Sequence, residues 1–413
     1  MTNNAASELT LQAVPSWMPA FLVAPMIGGL SLADLIALVV LLLFVLIFVM
    51  IEIWMERKVA GHIQLRRGPL HVGPHGSLQS PADVLKLLTK EDLTPVAADP
   101  IVFPMAPYLV FVPVFLTFLV IPWGPLVLFG NFVIRPFDLG LVYMVAIPAM
   151  QGIGLVMAGW SSGNKYSLLG SARVVAQLIS YELPMVIALL GVAMMAESLN
   201  LTTIVESQMK QGWNVFLQPI GFLVFFLATM SEMSRAPFDI AVAESEIVGG
   251  PFVEYSGMRW GMFYLAEFAA VCLNSALSTA LFLGGWELFP GSRALGLGWI
   301  SDQFGLLFFM GKMIVLVLII QWARFALPRL RIDQLMDFAW KFLLPAGFVN
   351  FILTAILQVF GFVPFAIGIG LTLAFAAVLL ATYQARRSPS TVALIRTAAA
   401  AAVPTSQGVG LPV

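Results

Sequence analysis

Of 413 residues, 60% are hydrophobic and 10% are charged, with a formal net charge of −1, whereas soluble domains carry roughly 45 to 50% apolar residues. This excess, with a mean hydropathy of +0.94, excludes a soluble globular protein and makes the chain an integral membrane protein. The single cysteine, Cys272, excludes a disulfide and a four-thiolate iron–sulfur site within this chain, and the lack of G-x-G-x-x-G and G-x-x-x-x-G-K-[ST] excludes nucleotide binding by those routes.

A bilayer core of about 30 Å takes about 20 apolar helical residues to cross. Residues 1–33 form an expected periplasmic N-terminal segment, interrupted by Pro15, Pro19 and Pro25 and without the charge pattern of a signal peptide. The first span, 35–51, is uncharged and ends at Glu52. A long connection follows, in which Gly68, Pro69, Gly73, Pro74 and Gly76 predict a shaped turn region. The stretch "QSPADVLKLLTKEDLTP" then predicts an interfacial amphipathic helix. Ser80 is its expected N-cap, with Pro81 first in the helix, Asp83 in the first turn, and an apolar stripe of Val84, Leu85, Leu87 and Leu88 beside Lys86 and Lys90.

Further spans are expected at 100–134, 139–164, 174–196, 211–231, 260–286 and 303–323. The fourth, sixth and seventh enclose Glu182, Glu267 and Lys312. Residues 342–385 carry no charge and are long enough for two helices broken around 361–364. The expected fold is thus an all-α polytopic domain over 34–383 with about nine transmembrane helices. Residues 384–413 are expected to be a disordered cytoplasmic tail, because they are small, Pro/Gly-punctuated and low in complexity.

Seventeen of the 21 Lys and Arg fall in alternate connections and the tail, and three (Arg135, Lys210, Arg293) on the other side. The positive-inside rule therefore places the N-terminus outside and the C-terminus in the cytoplasm of a cell inner (plasma) membrane protein.

Ionised groups inside a span cost about 2.5 to 3.5 kcal/mol near the bilayer centre, so they face protein or water and mark function. Glu232, Glu267 and Glu182 form a series of increasing depth from the inner side, and Lys312 falls near the middle of its span. At the mouth of this acidic funnel lies "SEMSRAPFDIAVAESEIVGGPFVEYSG", with Glu232, Asp239, Glu244, Glu246 and Glu254 around a single cation, Arg235. Closely spaced carboxylates there can collect protons and respond to charge appearing nearby. Pro237, Gly249, Gly250 and Pro251 make the connection a folded loop.

Five segments together resemble the inside loops of the quinone-cavity membrane subunit of respiratory complex I, the H subunit of bacterial enzymes. They are "ERKVAGHIQLRRGPLHVGPHG", "ADVLKLLTKE", "GWSSGNKYSLLGSARVVAQLISYE", "SRAPFDIAVAESEIVGGPFVEYSG" and "RLRIDQLMDFAWKFLLP". The resemblance covers roughly residues 35 to 360. It implies a chain with no redox cofactor or metal of its own, working beside peripheral-arm and membrane-arm subunits that carry flavin and iron–sulfur clusters. Quinone is the implied substrate, and no nucleic acid is among the implied partners. By the same resemblance Glu56, Arg57, Arg66 and Arg67 line the quinone tunnel and its interface. Glu182, Glu232, Asp239, Glu244, Glu246, Glu254 and Glu267 form the proton path, with Arg173, Arg235 and Lys312 as cationic partners. Val242 stands where the family usually has a further Glu, two residues before Glu244. The equivalent subunit of a membrane-bound hydrogenase and a stand-alone secondary transporter remain as alternatives. The absence of an internal repeat and the long inside loops favour docking over transport.

Overall fold

A computed structural model describes residues 25–27, 30–126, 130–131, 137–240, 244–293 and 295–359. Most of the expected periplasmic segment, the ninth span and the tail 384–413 lie outside the described residues. In chain order the α-helices are α1 Leu32–Ile63, α2 Gln79–Thr89, α3 Val102–Thr117, α4 Gly140–Ser161, α5 Lys165–Ala196, α6 Leu201–Gln211, α7 Asn214–Leu217, α8 Pro219–Glu232, α9 Glu244–Ile247, α10 Gly257–Phe282, α11 Gly298–Ala326, α12 Ile332–Phe338 and α13 Leu344–Val359. A π-helical turn, Ala339–Leu343, joins the last two. The described strands are two small antiparallel ribbons, β1 Pro25–Ile27 with β2 Leu30–Ser31 and β3 Pro125–Leu126 with β4 Gly130–Asn131.

Among the described residues seven helices are long and apolar enough to cross a membrane: Leu38–Ile63, Val102–Val120, Gly140–Ser161, Lys165–Ala196, Gly257–Phe282, Gly298–Ala326 and Ile332–Val359. The expected fifth span is a shorter apolar helix, α8, of 14 residues, which reaches about 21 Å at about 1.5 Å per residue. Its start is set by Gln218, whose φ of −131° and ψ of 62° are not helical, and by Pro219 in the first turn. The Gln218 side chain turns aside to donate to the Gly191 carbonyl at 3.0 Å.

Two other expectations are corrected. The first helix continues through Glu52 and Glu56 to Ile63, because both carboxylates are met by groups from distant parts of the chain. Helix α2 starts at Gln79, with Leu78 at the cap and no capping side chain. Ser80 is therefore inside the helix and buried. On α2, Leu85 and Leu88 are exposed, while Leu87 sits against Gly261 of α10.

Helix α10 is buried along nearly its whole length and forms the centre of the bundle. Around it α3 and α4 approach closely: a Cβ added at Gly154 would stand 2.7 Å from Val110 Cγ2, the close approach that small residues allow in membrane helices.

Alternate connections meet on opposite faces. On one, the Leu93 N–H donates to Ser256 Oγ at 2.8 Å, Asn164 Nδ2 to Glu254 Oε1 at 2.7 Å, and the Leu330 N–H to the Pro237 carbonyl at 3.1 Å. There Asp99 Oδ1 accepts from the Ile101 and Val102 N–H groups at 2.9 Å each. These donors to the anion hold its carboxyl below the ordinary carboxylate range. On the other face, the Leu141 N–H donates to the Leu199 carbonyl at 2.9 Å, Gln208 Nε2 to the Ala280 carbonyl at 2.8 Å, and Asn214 Nδ2 to the Leu281 carbonyl at 2.8 Å. This is the alternation that an up-and-down helical chain requires.

Candidate functional site

Four elements bring charge together in the interior. Glu56 comes from α1, Arg235 from the loop after α8, Glu267 from α10 and Arg324 from α11. Arg235 Nη1 lies 2.5 Å from Glu56 Oε2, and Arg235 Nε 3.1 Å from Glu267 Oε1. The second oxygen of Glu56 accepts from Arg324 Nη1 at 2.5 Å. Arg235 is 1% exposed, and its guanidinium lies 4.0 Å from the centre of the Phe268 ring. Burial alone lowers the pKa of such a group. The fields of Glu56, Glu267 and Glu52 outweigh it and hold Arg235 above its ordinary value, so it stays a fixed cation among acids.

One turn before Glu56 on α1 is Glu52, which is wholly buried and whose Oε2 accepts from Cys272 Sγ at 2.7 Å. Neither Glu52 nor Arg324 is among the expected site residues. The available signal is spacing: Glu52 and Glu56 stand four apart, which puts both on one face of a helix if the helix continues.

Next to Glu56, α1 and α2 meet through Arg57 Nη1, 2.5 Å from Asp83 Oδ2. Behind this pair a cavity of about 340 Å³ opens between α1, α2 and α10, with Met50, Arg57, Asp83, Leu87, Tyr264 and Leu265 in its wall. Arg66 and Arg67 lie outside it, exposed in the turn after α1, where Arg66 Nε donates to Gln64 Oε1 at 2.6 Å.

The acidic loop is spread among partners. Asp239 pairs with Arg329 at 2.9 Å, Glu246 with Arg173 at 2.5 Å, and Glu254 accepts from Asn164. The backbone of Glu244 opens α9, while its side chain and Val242 are outside the described residues. Glu182 of α5 and Glu232 of α8 are not among the ion-pair partners of Arg235. They line a second cavity, of about 220 Å³, together with Pro148, Gln151, Tyr181 and Met185.

Lys312 does not pair with a carboxylate among the described residues. Its ammonium donates to the carbonyls of Leu283 at 2.6 Å, Gly285 at 3.0 Å and Glu287, and lies 4.2 Å from the centre of the Trp213 ring. Lys312 thus satisfies the C-cap carbonyl of α10 and two carbonyls of the loop beyond it. In that loop Glu287 is buried, and burial raises its pKa, an effect eased by the Ser292 hydroxyl and the Lys312 charge.

A sequence profile described as NADH dehydrogenase matches residues 36–355. The chain belongs to the NADH dehydrogenase family. Among its relatives, the NADH-quinone oxidoreductase H subunit of Geobacillus kaustophilus is 46% identical over 356 residues, 86% of this chain and 99% of that protein. The protein of the same name from Brevibacillus brevis is 45% identical over 347 residues, 84% and 96% of the two chains. That from Dehalococcoides mccartyi strain CBDB1 is 46% identical over 303 residues, 73% and 80%. The profile spans α1 through most of α13, so both cavities and the Arg235 cluster lie inside the matched NADH dehydrogenase region.

Proposed function

We propose that this chain serves as the H subunit of a proton-pumping NADH-quinone oxidoreductase, that a quinone head enters along the cavity between α1, α2 and α10, and that its reduction moves protons along the buried acids. The family membership supports the first part. The observation that carries the second is adjacency. Arg57 in the cavity wall is next in sequence to Glu56, which both Arg235 and Arg324 hold. A charge change in the cavity is thus felt by the cluster within one or two residues, in a setting where electrostatic interactions are stronger than in water.

From the cluster the proposed path runs through Glu267, and laterally through the Glu182–Glu232 cavity. The mouth is formed by Asp239, Glu244, Glu246 and Glu254, with Arg173 as a counter-charge. Lys312, held on carbonyls, closes the path at its outer end. The face carrying Arg57, Arg173, Arg259 and Arg329 is the cytoplasmic one in this reading. There the peripheral-arm subunits, which hold the flavin and iron–sulfur clusters, dock near Arg66 and Arg67.

The test uses Arg57→Ala and Arg66→Ala in the intact complex, because a guanidinium fork orients a polar head or a docked subunit with a geometry that Ala cannot supply. NADH-to-quinone turnover is expected to fall while NADH oxidation by an artificial acceptor persists. Equal loss of both activities refutes a quinone role and assigns these residues to assembly.

A further inference from the structure

One turn outward from the Arg235 cluster the helices carry polar groups that no partner satisfies. Helices α1 and α11 cross in the same direction and are joined by Glu56 and Arg324. Glu52 precedes Glu56 by four residues and Gln321 precedes Arg324 by three, so each lies on the same face about one turn, or about 5.4 Å, farther along. Helix α10 crosses in the opposite direction, and Cys272, five residues beyond Glu267, reaches the same level by donating to Glu52 Oε2 at 2.7 Å. Glu52 and Gln321 are 0% exposed and Cys272 is 1% exposed. Glu52 Oε1, Gln321 Nε2 and Gln321 Oε1 are buried without a hydrogen-bond partner.

An orphaned buried polar atom is destabilising, and a water hydrogen-bonded to such groups removes that cost. A thiol is a weak donor, so Cys272 alone compensates a buried anion poorly. A neutral carboxyl, with an O–H of its own to donate, suits the site. We propose that Glu52, Cys272 and Gln321 form a hydrated polar site in the membrane interior and that Glu52 holds an exchangeable proton there. The proposal rests on the proton-path reading and adds a carboxyl to it. The charged groups facing this site are Glu56 on α1, Arg235 from the loop after α8, Glu267 on α10 and Arg324 on α11.

Infrared spectra of the intact complex in H2O and D2O test it, with wild type, Glu52→Gln, Cys272→Ala and Gln321→Leu. The expected result is a protonated-carboxyl band that shifts in D2O, is lost in Glu52→Gln, moves when the thiol is removed, and exchanges more slowly in Gln321→Leu. Should Glu52→Gln fail to assemble, the shift of the wild-type band on Cys272→Ala reads the same carboxyl. A spectrum unchanged by Glu52→Gln, a band insensitive to D2O, or a band unmoved in Cys272→Ala overturns the proposal. The readout involves no quinone, so the two readings fail separately. An active complex without the band refutes the hydrated site, and the band in a complex without NADH–quinone activity refutes the enzyme assignment alone.

Discussion

Arg235 and Glu56 stand 179 residues apart in sequence and 2.5 Å apart in a buried ion pair. Each needs the other for a physical reason: removing one partner of a buried pair leaves an uncompensated charge, at about 3 to 5 kcal/mol. Arg235→Ala leaves Glu56 and Glu267 facing each other without their common cation. The expected outcome is loss of most assembled complex from the membrane, read on native gels. Arg235→Lys keeps the charge without the fork and is expected to assemble with a lowered melting temperature. An Arg235→Ala complex with wild-type yield and melting temperature contradicts a compensating role.

Glu267→Gln and Glu182→Gln fit the same space but carry no exchangeable charge. Both complexes are expected to assemble, with fewer protons pumped per quinone reduced, as measured in sealed vesicles with a pH-sensitive dye. Glu182 is the cleaner test, because it lines a cavity with Glu232 and pairs with no cation among the described residues. Wild-type pumping in both variants removes the buried acids from the path.

The helical class, the long first connection and the crowding of cations on alternate connections follow from hydropathy and charge, because these properties are local. The charged site is only half legible in the same way. Glu56 and Arg235 lie in segments that carry the family resemblance and Glu267 stands out as a charge inside a span, whereas Glu52 marks the end of an uncharged run when neighbours in sequence are the only guide. Its side-chain partner is Cys272, 220 residues away, and a hydropathy window cannot see such a partner. The same limit explains Ser80: a good capping residue loses its position when Asp83 is drawn to Arg57 and the helix begins earlier. It also explains Lys312, whose midspan charge is satisfied by carbonyls just beyond a helix that finishes 30 residues before it.

If Arg57 and Asp83 hold α2 against α1, their order is exchangeable. Both side chains are about one-third exposed, so the pair contributes at most about 1 kcal/mol to stability, and its effect belongs to the cavity wall. Arg57→Asp and Asp83→Arg are each expected to raise the quinone KM. The double exchange is expected to recover part of the loss. An additive effect of the two changes assigns Arg57 to direct contact with the quinone.

Lys312→Met removes three carbonyl bonds made by a charged donor, each worth about 1.5 to 3 kcal/mol. The expected result is faster proteolysis in the outer loop 283–297 and a lower melting temperature, with the pH profile of quinone reduction unchanged in form. A displaced pH profile in a stable complex makes Lys312 a carrier of the path.

The mouth of the path offers the sharpest contrast. Glu246 pairs with Arg173 at 2.5 Å on an exposed surface, and Glu244 lies in the same short helix, α9. Asp239, Glu244, Glu246 and Glu254 form one set of acids along the loop, so charge arriving nearby acts on them together. Glu244→Gln with Glu246→Gln removes two members of the set and frees Arg173 from its partner. Quinone reduction is expected to slow and its pH dependence to change, because two charges are removed from the loop. Glu206, exposed on α6 at the opposite face, supplies the control, and Glu206→Gln is expected to leave rate and profile unchanged. A double variant that turns over and pumps as wild type makes the loop a solvated surface and moves proton entry to the Glu182–Glu232 cavity.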